Sequence, residues 1–139
     1  MNWKRLWLTA LIVFVFLQLT DFLIHWVILK GVYENLAALG VFRSASEMCG
    51  YAWVEIVMTA VFSFFFAYIF VKGYEGKGIL EGIRYGIVIG FFWIFVNAYN
   101  AFIAIPIPYG LVWYWIISGF IQAIIAGILV ALIYKPKKE

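Results

Sequence analysis

The chain has 139 residues, of which 67% are hydrophobic and 12% charged, and its formal net charge is +3. A soluble domain is about half apolar and a quarter charged, and a domain this small has too little interior to bury so much apolar surface. Composition therefore excludes a water-soluble fold and indicates lipid as the solvent. The positive charges lie outside the apolar runs, which is typical of membrane topology rather than of nucleic-acid binding. The one cysteine, Cys49, excludes an intrachain disulfide.

Four continuous apolar runs organise the chain, and they cover residues 6–29, 48–71, 79–103 and 111–134. Each run is long enough to cross a hydrocarbon core of about 30 Å as a helix. The first run is too long for a signal peptide and carries Asp21 and His25, so we expect it to be retained as a span. The sequence predicts an all-α integral membrane protein, a single four-transmembrane-helix bundle over residues 1–139 embedded in a lipid bilayer.

The basic residues predict the orientation of the bundle. They form three clusters, before the first span, around the link between spans two and three, and after span four: Lys4 and Arg5; Lys72, Lys77 and Arg84; Lys135, Lys137 and Lys138. The other two links are charge-balanced or uncharged. Because cytoplasmic loops carry the excess of Lys and Arg, we expect both termini in the cytoplasm and the chain in a plasma (inner) membrane.

The link between the first two spans, residues 30–47, is long for two adjacent antiparallel helices and is partly apolar. This predicts a short surface helix that ends near Gly40, since glycine commonly follows the last residue of a helix. Ser44 and Glu47 have the spacing of a capping box, which predicts that they open span two.

Small residues recur at every fourth position in spans three and four. They are Gly82, Gly86 and Gly90 in span three, and Gly119, Ala123 and Gly127 in span four. This spacing places them on one face of each helix, where they let two backbones approach closely. The pattern predicts a packing contact, either between spans of one chain or between two copies in a homodimer.

Polar side chains inside the apolar runs are the main functional signal. They are Gln18, Asp21 and His25 in span one, Glu55 in span two, Asn97 and Asn100 in span three, and Gln122 in span four. At about 1.5 Å per residue, Asp21 and Glu55 lie roughly 10–12 Å from the outer ends of their spans. The two asparagines continue the glycine face of span three. We therefore expect these residues to form one polar cluster in the outer half of the bundle.

Three functional hypotheses follow, because an ionised carboxylate in hydrocarbon is costly and favours a function. The first is an oligomeric transporter, or an ion- or proton-conducting protein, that uses the polar cluster. The second is a non-catalytic subunit or assembly factor of a larger membrane complex, in which the polar groups fasten helices together. The third is a metal-binding protein in which Asp21, His25 and Glu55 hold a divalent cation. The sequence contains no nucleotide-binding, nucleophile-elbow or HExxH motif, and we predict no catalytic residue.

Overall fold

A computed structural model describes residues 1–136, and every regular element in this part of the chain is a helix. Four of the helices are long and apolar enough to cross a membrane, and the predicted all-helical fold with four candidate spans is confirmed. The largest difference in their ends is the start of span two, predicted at Met48 and observed at Ala52. Lys137 and Lys138, part of the third basic cluster, lie outside the described residues. The candidate spans are Trp3–Ile28, Ala52–Lys72, Ile79–Ala104 and Tyr109–Ile133.

The helices are numbered here in chain order. Helix α1 covers Trp3–Asp21 and continues as a π-helical segment, Phe22–Ile28, which is followed by α2, Lys30–Ala38. Helix α3 covers Ala45–Gly50 and α4 covers Ala52–Lys72. Helix α5, Ile79–Ile89, leads through a second π-helical segment, Gly90–Phe95, into α6, Val96–Ala104, and α7 covers Tyr109–Ile133. Two of the four candidate spans therefore contain a segment with i→i+5 hydrogen bonds.

The link between α1 and α4 contains two short helices. Helix α2 is the predicted surface helix, and beyond it Gly40 has φ +73°, a left-handed conformation that glycine adopts without strain. Ser44 and Glu47 form the predicted capping box, with both reciprocal hydrogen bonds present. The prediction that this box opens span two is wrong, because it opens α3 and the chain leaves the helical conformation at Tyr51 before α4 begins.

The start of α1 and the end of α7 lie at one end of the bundle, which we call the terminal end. The Asn2 backbone N–H donates to the Tyr134 hydroxyl at 3.2 Å, and the Asn2 side-chain Nδ2 donates to the Lys135 carbonyl oxygen at 3.3 Å. The link between α4 and α5 also lies here, since the ring of Tyr74 is 5.5 Å from the ring of Tyr134.

A buried carboxylate orders the link between α4 and α5. Glu81, in the first turn of α5, is only 4% exposed. Its two oxygens accept hydrogen bonds from the backbone N–H groups of Glu75 at 2.7 Å and Lys77 at 2.8 Å. Gly76 and Gly78 have φ +75° and +67°, which lets this short link fold around the carboxylate. The negative charge also suits the N-terminus of a helix.

The opposite end, which we call the α2–α3 end, carries α2, α3 and the link between α6 and α7. Ile107 of that link packs in one apolar cluster with Leu29 and Leu36. A second apolar cluster, which includes Val13 and Val130, fills the bundle nearer the terminal end.

The long helices pack in two pairs, α1 with α4 and α5 with α7, and a contact between α1 and α7 joins the pairs. Aromatic side chains fill the space between α4 and α5. The ring of Tyr85 lies 4.8 Å from the ring of Phe66, and its hydroxyl donates to the Phe66 carbonyl oxygen at 2.6 Å.

The small residues of α5 and α7 lie against each other. A Cβ on Gly82 would lie 2.4 Å from the Gly127 carbonyl oxygen, and a Cβ on Gly86 would lie 2.5 Å from the Ala123 carbonyl oxygen. The structure therefore places these residues in a contact within one chain. The two remaining small residues face side chains of the opposite span. Gly90 lies against Phe120, and Gly119 lies against Ile94.

Candidate functional site

A cavity of about 740 Å³ lies at the α2–α3 end of the bundle. Its walls come from the last turns of the first span, from α2 and α3 with their link, from the start of α4, and from α7. Asp21, His25 and Glu55 line this cavity, so the structure brings together three of the residues predicted from the sequence.

Asp21 is held in place by the neighbouring helix α7. Its Oδ1 accepts a hydrogen bond from Gln122 Nε2 at 2.8 Å. The same nitrogen donates to the Thr20 hydroxyl at 2.7 Å, and that hydroxyl donates to the Phe16 carbonyl oxygen at 2.9 Å. Gln122 therefore fixes the carboxylate relative to α7 with a neutral donor, and the negative charge of Asp21 remains.

Glu55 lies on the α4 wall, three residues into that helix, and its side chain is exposed to the cavity. Asp21 lines the same cavity from the first span. Among residues 1–136, neither carboxylate forms an ion pair with a Lys, Arg or His side chain. Two carboxylates thus face one cavity without a cationic partner from the described chain.

A chain of hydrogen bonds joins three walls of the cavity. The Trp115 indole Nε1 of α7 donates to the Tyr33 hydroxyl of α2 at 2.8 Å, and His25 Nδ1 lies 2.6 Å from the same hydroxyl. An indole N–H can only donate, so the Tyr33 oxygen is the acceptor there. When the Tyr33 hydroxyl donates its hydrogen bond to His25 Nδ1, that nitrogen is the acceptor. Neutral His25 then carries its proton on Nε2. Burial raises the pKa of Tyr33 to about 12, which keeps the hydroxyl protonated at neutral pH.

The other charged lining residues, Lys30, Glu34 and Arg43, contact each other or an aromatic ring. Lys30 Nζ lies 3.7 Å from Glu34 Oε1, and the Arg43 guanidinium lies 4.4 Å from the centre of the Tyr51 ring. The lining as a whole contains three carboxylates, on Asp21, Glu34 and Glu55, against the two cations of Lys30 and Arg43. When His25 is neutral, the formal charge of the lining is therefore negative.

Aromatic side chains make up much of the remaining wall. The Tyr33 and Phe42 rings meet edge to face with centres 5.6 Å apart, and Phe42 lies 6.5 Å from Trp115. Trp26 and Tyr51 complete the aromatic lining. The wall is therefore mostly apolar, with a few polar groups at defined positions, which is the usual composition of a small-molecule site.

The π-helical segment Phe22–Ile28 begins immediately after Asp21 and contains His25 and Trp26. Such segments are rare in proteins and are often found at functional sites. This one sets the direction of two lining residues relative to Asp21. The sequence pattern, read with ordinary α-helical spacing, does not predict it.

The other predicted site residues lie away from the cavity lining. Gln18 lies about one turn closer to the terminal end, and its Nε2 is buried without a hydrogen-bond partner among residues 1–136. Asn97 and Asn100 are exposed on α6, and the Asn97 amide donates back to the Trp93 carbonyl oxygen at 2.7 Å. The predicted polar cluster is thus divided between the cavity, the helix interior and the surface of α6.

Within residues 1–136, no three His, Cys, Asp or Glu side chains are close enough together to hold a metal ion. A catalytic zinc site usually has three protein ligands. The cavity contains Asp21, His25 and Glu55, but these three side chains do not form such a set.

Three residues that build the site were not predicted from the sequence: Thr20, Tyr33 and Trp115. Tyr33 lies in a link, and Trp115 resembles the aromatic residues that mark any membrane interface. A signal for Tyr33 was its place in a partly apolar surface helix, which must lie against the bundle. The chain matches no protein-family model, no curated protein and no solved structure.

Proposed function

We propose that this chain is a small multi-pass transporter of a plasma membrane, and that the cavity receives a cation from the outer side. In this proposal the α2–α3 end faces outward and the terminal end faces the cytoplasm. The distribution of charge supports this orientation, because Lys4, Arg5, Lys72 and Lys77 all lie at the terminal end. Cytoplasmic segments carry such an excess of basic residues.

The observation that carries the proposal is the pair of carboxylates without ionic partners in the described chain, Asp21 and Glu55, facing one cavity. A carboxylate within the span of a helix costs at least about 2.5–3.5 kcal/mol on insertion scales, and two such charges repel each other. A bound cation offsets both the cost of placing a charge in the span and the repulsion between the two carboxylates. Intramembrane carboxylates that line a cavity commonly mark a substrate or ion path.

The apolar packing below the cavity favours a transporter over an open channel. The cluster that includes Val13, Leu17 and Phe66 fills the bundle between the cavity and the terminal end. A solute in the cavity therefore needs a rearrangement of helices to pass, which is the property of a carrier. A homo-oligomer suits this role, since one four-helix bundle is thin for a complete transport path.

The proposal is tested by uptake into vesicles reconstituted with the purified protein. The probes are labelled Rb⁺ and labelled tetramethylammonium, each driven by an imposed membrane potential. We expect Asp21→Asn and Glu55→Gln each to lower uptake of the transported probe by about tenfold or more, which corresponds to losing about 1.4 kcal/mol of binding.

The matched control is Glu47→Gln, which removes one carboxylate at the same end of the bundle but outside the cavity lining. Gln also suits the capping box, so α3 should be preserved. Uptake that is equal in the wild type, Asp21→Asn and Glu55→Gln would contradict the proposal, as would the absence of protein-dependent uptake for both probes.

A second candidate function is a non-catalytic subunit of a larger membrane complex, and the exposed polar residues of α6 favour it. Asn97 and Asn100 are exposed in a segment that otherwise suits lipid, and asparagine in such a helix commonly bonds to a neighbouring helix. Purification in mild detergent separates the two functions: stoichiometric partner proteins would support the subunit, and a lone homo-oligomer would support the transporter.

A further inference from the structure

We infer that the cavity is built for an organic cation, a protonated amine or quaternary ammonium group attached to an apolar body. The inference rests on the proposed function in one respect, that the cavity receives a cation. It adds the chemical class of that cation, and it is carried by the size and the lining of the cavity.

The size of the cavity suits a small organic molecule. Its volume of about 740 Å³ lies within the range of about 300–1,000 Å³ that is common for such sites. A bare metal ion needs instead a compact shell of oxygen or nitrogen ligands. Among residues 1–136 no group of three His, Cys, Asp or Glu side chains provides one.

The aromatic lining suits a cation of low charge density. Aromatic faces attract ammonium and guanidinium groups, and several such faces together form the usual site for quaternary ammonium ligands. This cavity contains one such contact between a cation and an aromatic face, since the Arg43 guanidinium lies 4.4 Å from the centre of the Tyr51 ring. Arg43 is therefore an organic cation of the protein itself, placed on an aromatic face of the same cavity.

The lining residues are arranged so that charge and apolar surface are both used. Asp21 and Glu55 are the lining residues of α1 and α4 that lie farthest from the α2–α3 end, while Trp26, Phe42 and Met48 lie nearer to that end. A ligand oriented with its cationic group toward the carboxylates places its apolar body against the aromatic wall. A neutral molecule of the same shape gains only the second contact.

A matched pair of ligands tests this directly. Benzyltrimethylammonium and neopentylbenzene have the same shape and differ by a nitrogen cation in place of a carbon. Binding is measured by equilibrium dialysis against the protein in phosphatidylglycerol nanodiscs, with empty nanodiscs to subtract partition into lipid. We expect the charged compound to bind the wild type at least about tenfold more tightly than the neutral one, the equivalent of one good cation–π contact or more.

Paired variants identify the site. In the double variant Asp21→Asn with Glu55→Gln, we expect the preference for the charged compound to decrease but not to vanish, because the aromatic faces still attract the cation. Trp26→Leu should weaken binding of both compounds, while Trp53→Leu should weaken neither, because Trp53 is 66% exposed and lies outside the cavity lining. Glu47→Gln should also leave binding unchanged.

For one variant we expect tighter binding, a result that misfolding cannot produce. Arg43→Gln removes the cation that competes for the cavity, so we expect benzyltrimethylammonium to bind about two- to fivefold more tightly. Equal binding of the charged and neutral compounds to the wild type would overturn the inference. A preference that is undiminished when both carboxylates are neutralised would also overturn it.

The outcomes separate this inference from the proposed function. Uptake of Rb⁺ that depends on Asp21 and Glu55, without binding of benzyltrimethylammonium, would overturn the inference and leave the transporter. Carboxylate-dependent binding without any uptake would overturn the transporter and leave the inference. A repeat in nanodiscs that contain phosphatidylcholine identifies the source of the cation. Competition by the lipid supports a headgroup as the source, and unchanged binding supports a free amine.

Discussion

Tyr33 is the residue on which the arrangement of the cavity most depends. Its hydroxyl joins three separate elements, accepting from Trp115 of α7 and lying 2.6 Å from His25 of the first span, while its own ring belongs to α2. The bonds are half-buried, so water replaces them poorly when they are lost. A short surface helix with an otherwise exposed face is thereby fastened to the bundle.

We expect Tyr33→Phe to lower the free energy of unfolding by about 1–3 kcal/mol, because it leaves the Trp115 indole N–H and the His25 ring without their partner. Unfolding in detergent, followed by tryptophan fluorescence, measures this. Tyr109→Phe is the control, since the hydroxyl of Tyr109 forms an exposed hydrogen bond with the hydroxyl of Tyr99 at 2.9 Å. Equal losses in the two variants would show that the Tyr33 hydroxyl has no special role.

The fate of the two asparagines shows where prediction of the site from the sequence fails. Asn97 was expected on the same face as Gly86 and Gly90, which holds for a regular α-helix. The π-helical segment Gly90–Phe95 intervenes and rotates the residues that follow it. As a result Ala98 is buried at 5% exposure and Asn97 is exposed. Asp21 and Glu55 do line one cavity, because the relative height of two residues along their helices depends on chain length, whereas the direction each one faces depends on every turn in between.

At the scale of elements, α5 and α7 are packed backbone against backbone. A Cβ on Gly127 would lie 2.2 Å from the Gly82 carbonyl oxygen, which is backbone and has no side-chain freedom with which to move away. Close packing of this kind drives helix association where lipid provides no hydrophobic force between helices. The spacing of small residues predicted a contact face on each helix. The structure shows that the two faces contact each other within one chain.

We expect Gly127→Ala to destabilise the folded protein by about 1–3 kcal/mol, because one methyl group forces the two backbones apart. Gly110→Ala is the control on the same helix, since a Cβ there meets no atom within 4 Å. It should be neutral or stabilising, because alanine is a better helix former than glycine by roughly 0.5–1 kcal/mol. Thermal unfolding of both variants in the same detergent makes the comparison. A stable Gly127→Ala variant would contradict the packing described here.

At the scale of the whole molecule, composition alone predicted the fold class. Four continuous apolar runs leave few alternatives, because backbone groups in lipid must be paired within each helix. Link structure was harder to predict. The capping box was recognised, but the separate helix α3 was not, because the break at Tyr51 is marked in the sequence only by Gly50, and a single glycine within a helical pattern indicates a helix end only weakly.

The proposed orientation is tested with the one cysteine of the chain. Cys49 is exposed in α3, at the α2–α3 end. We expect a membrane-impermeant maleimide to label it in intact cells. In a Cys49→Ser background, Lys77→Cys at the terminal end should be labelled only after the membrane is permeabilised. The reverse pattern would place the cavity on the cytoplasmic side.

The bonds at the terminal end give the bundle a pivot. Asn2 joins the start of α1 to the end of α7, and Glu81 orders the link between α4 and α5. Separating α1 from α7 there breaks the two hydrogen bonds of Asn2, each worth about 0.5–1.5 kcal/mol. The first span has 26 residues and is therefore about 39 Å long, so a tilt of about 5° around this pivot moves its far end by roughly 3 Å. If the helices tilt about the terminal end, we therefore expect their displacement to increase toward the α2–α3 end, where the cavity lies.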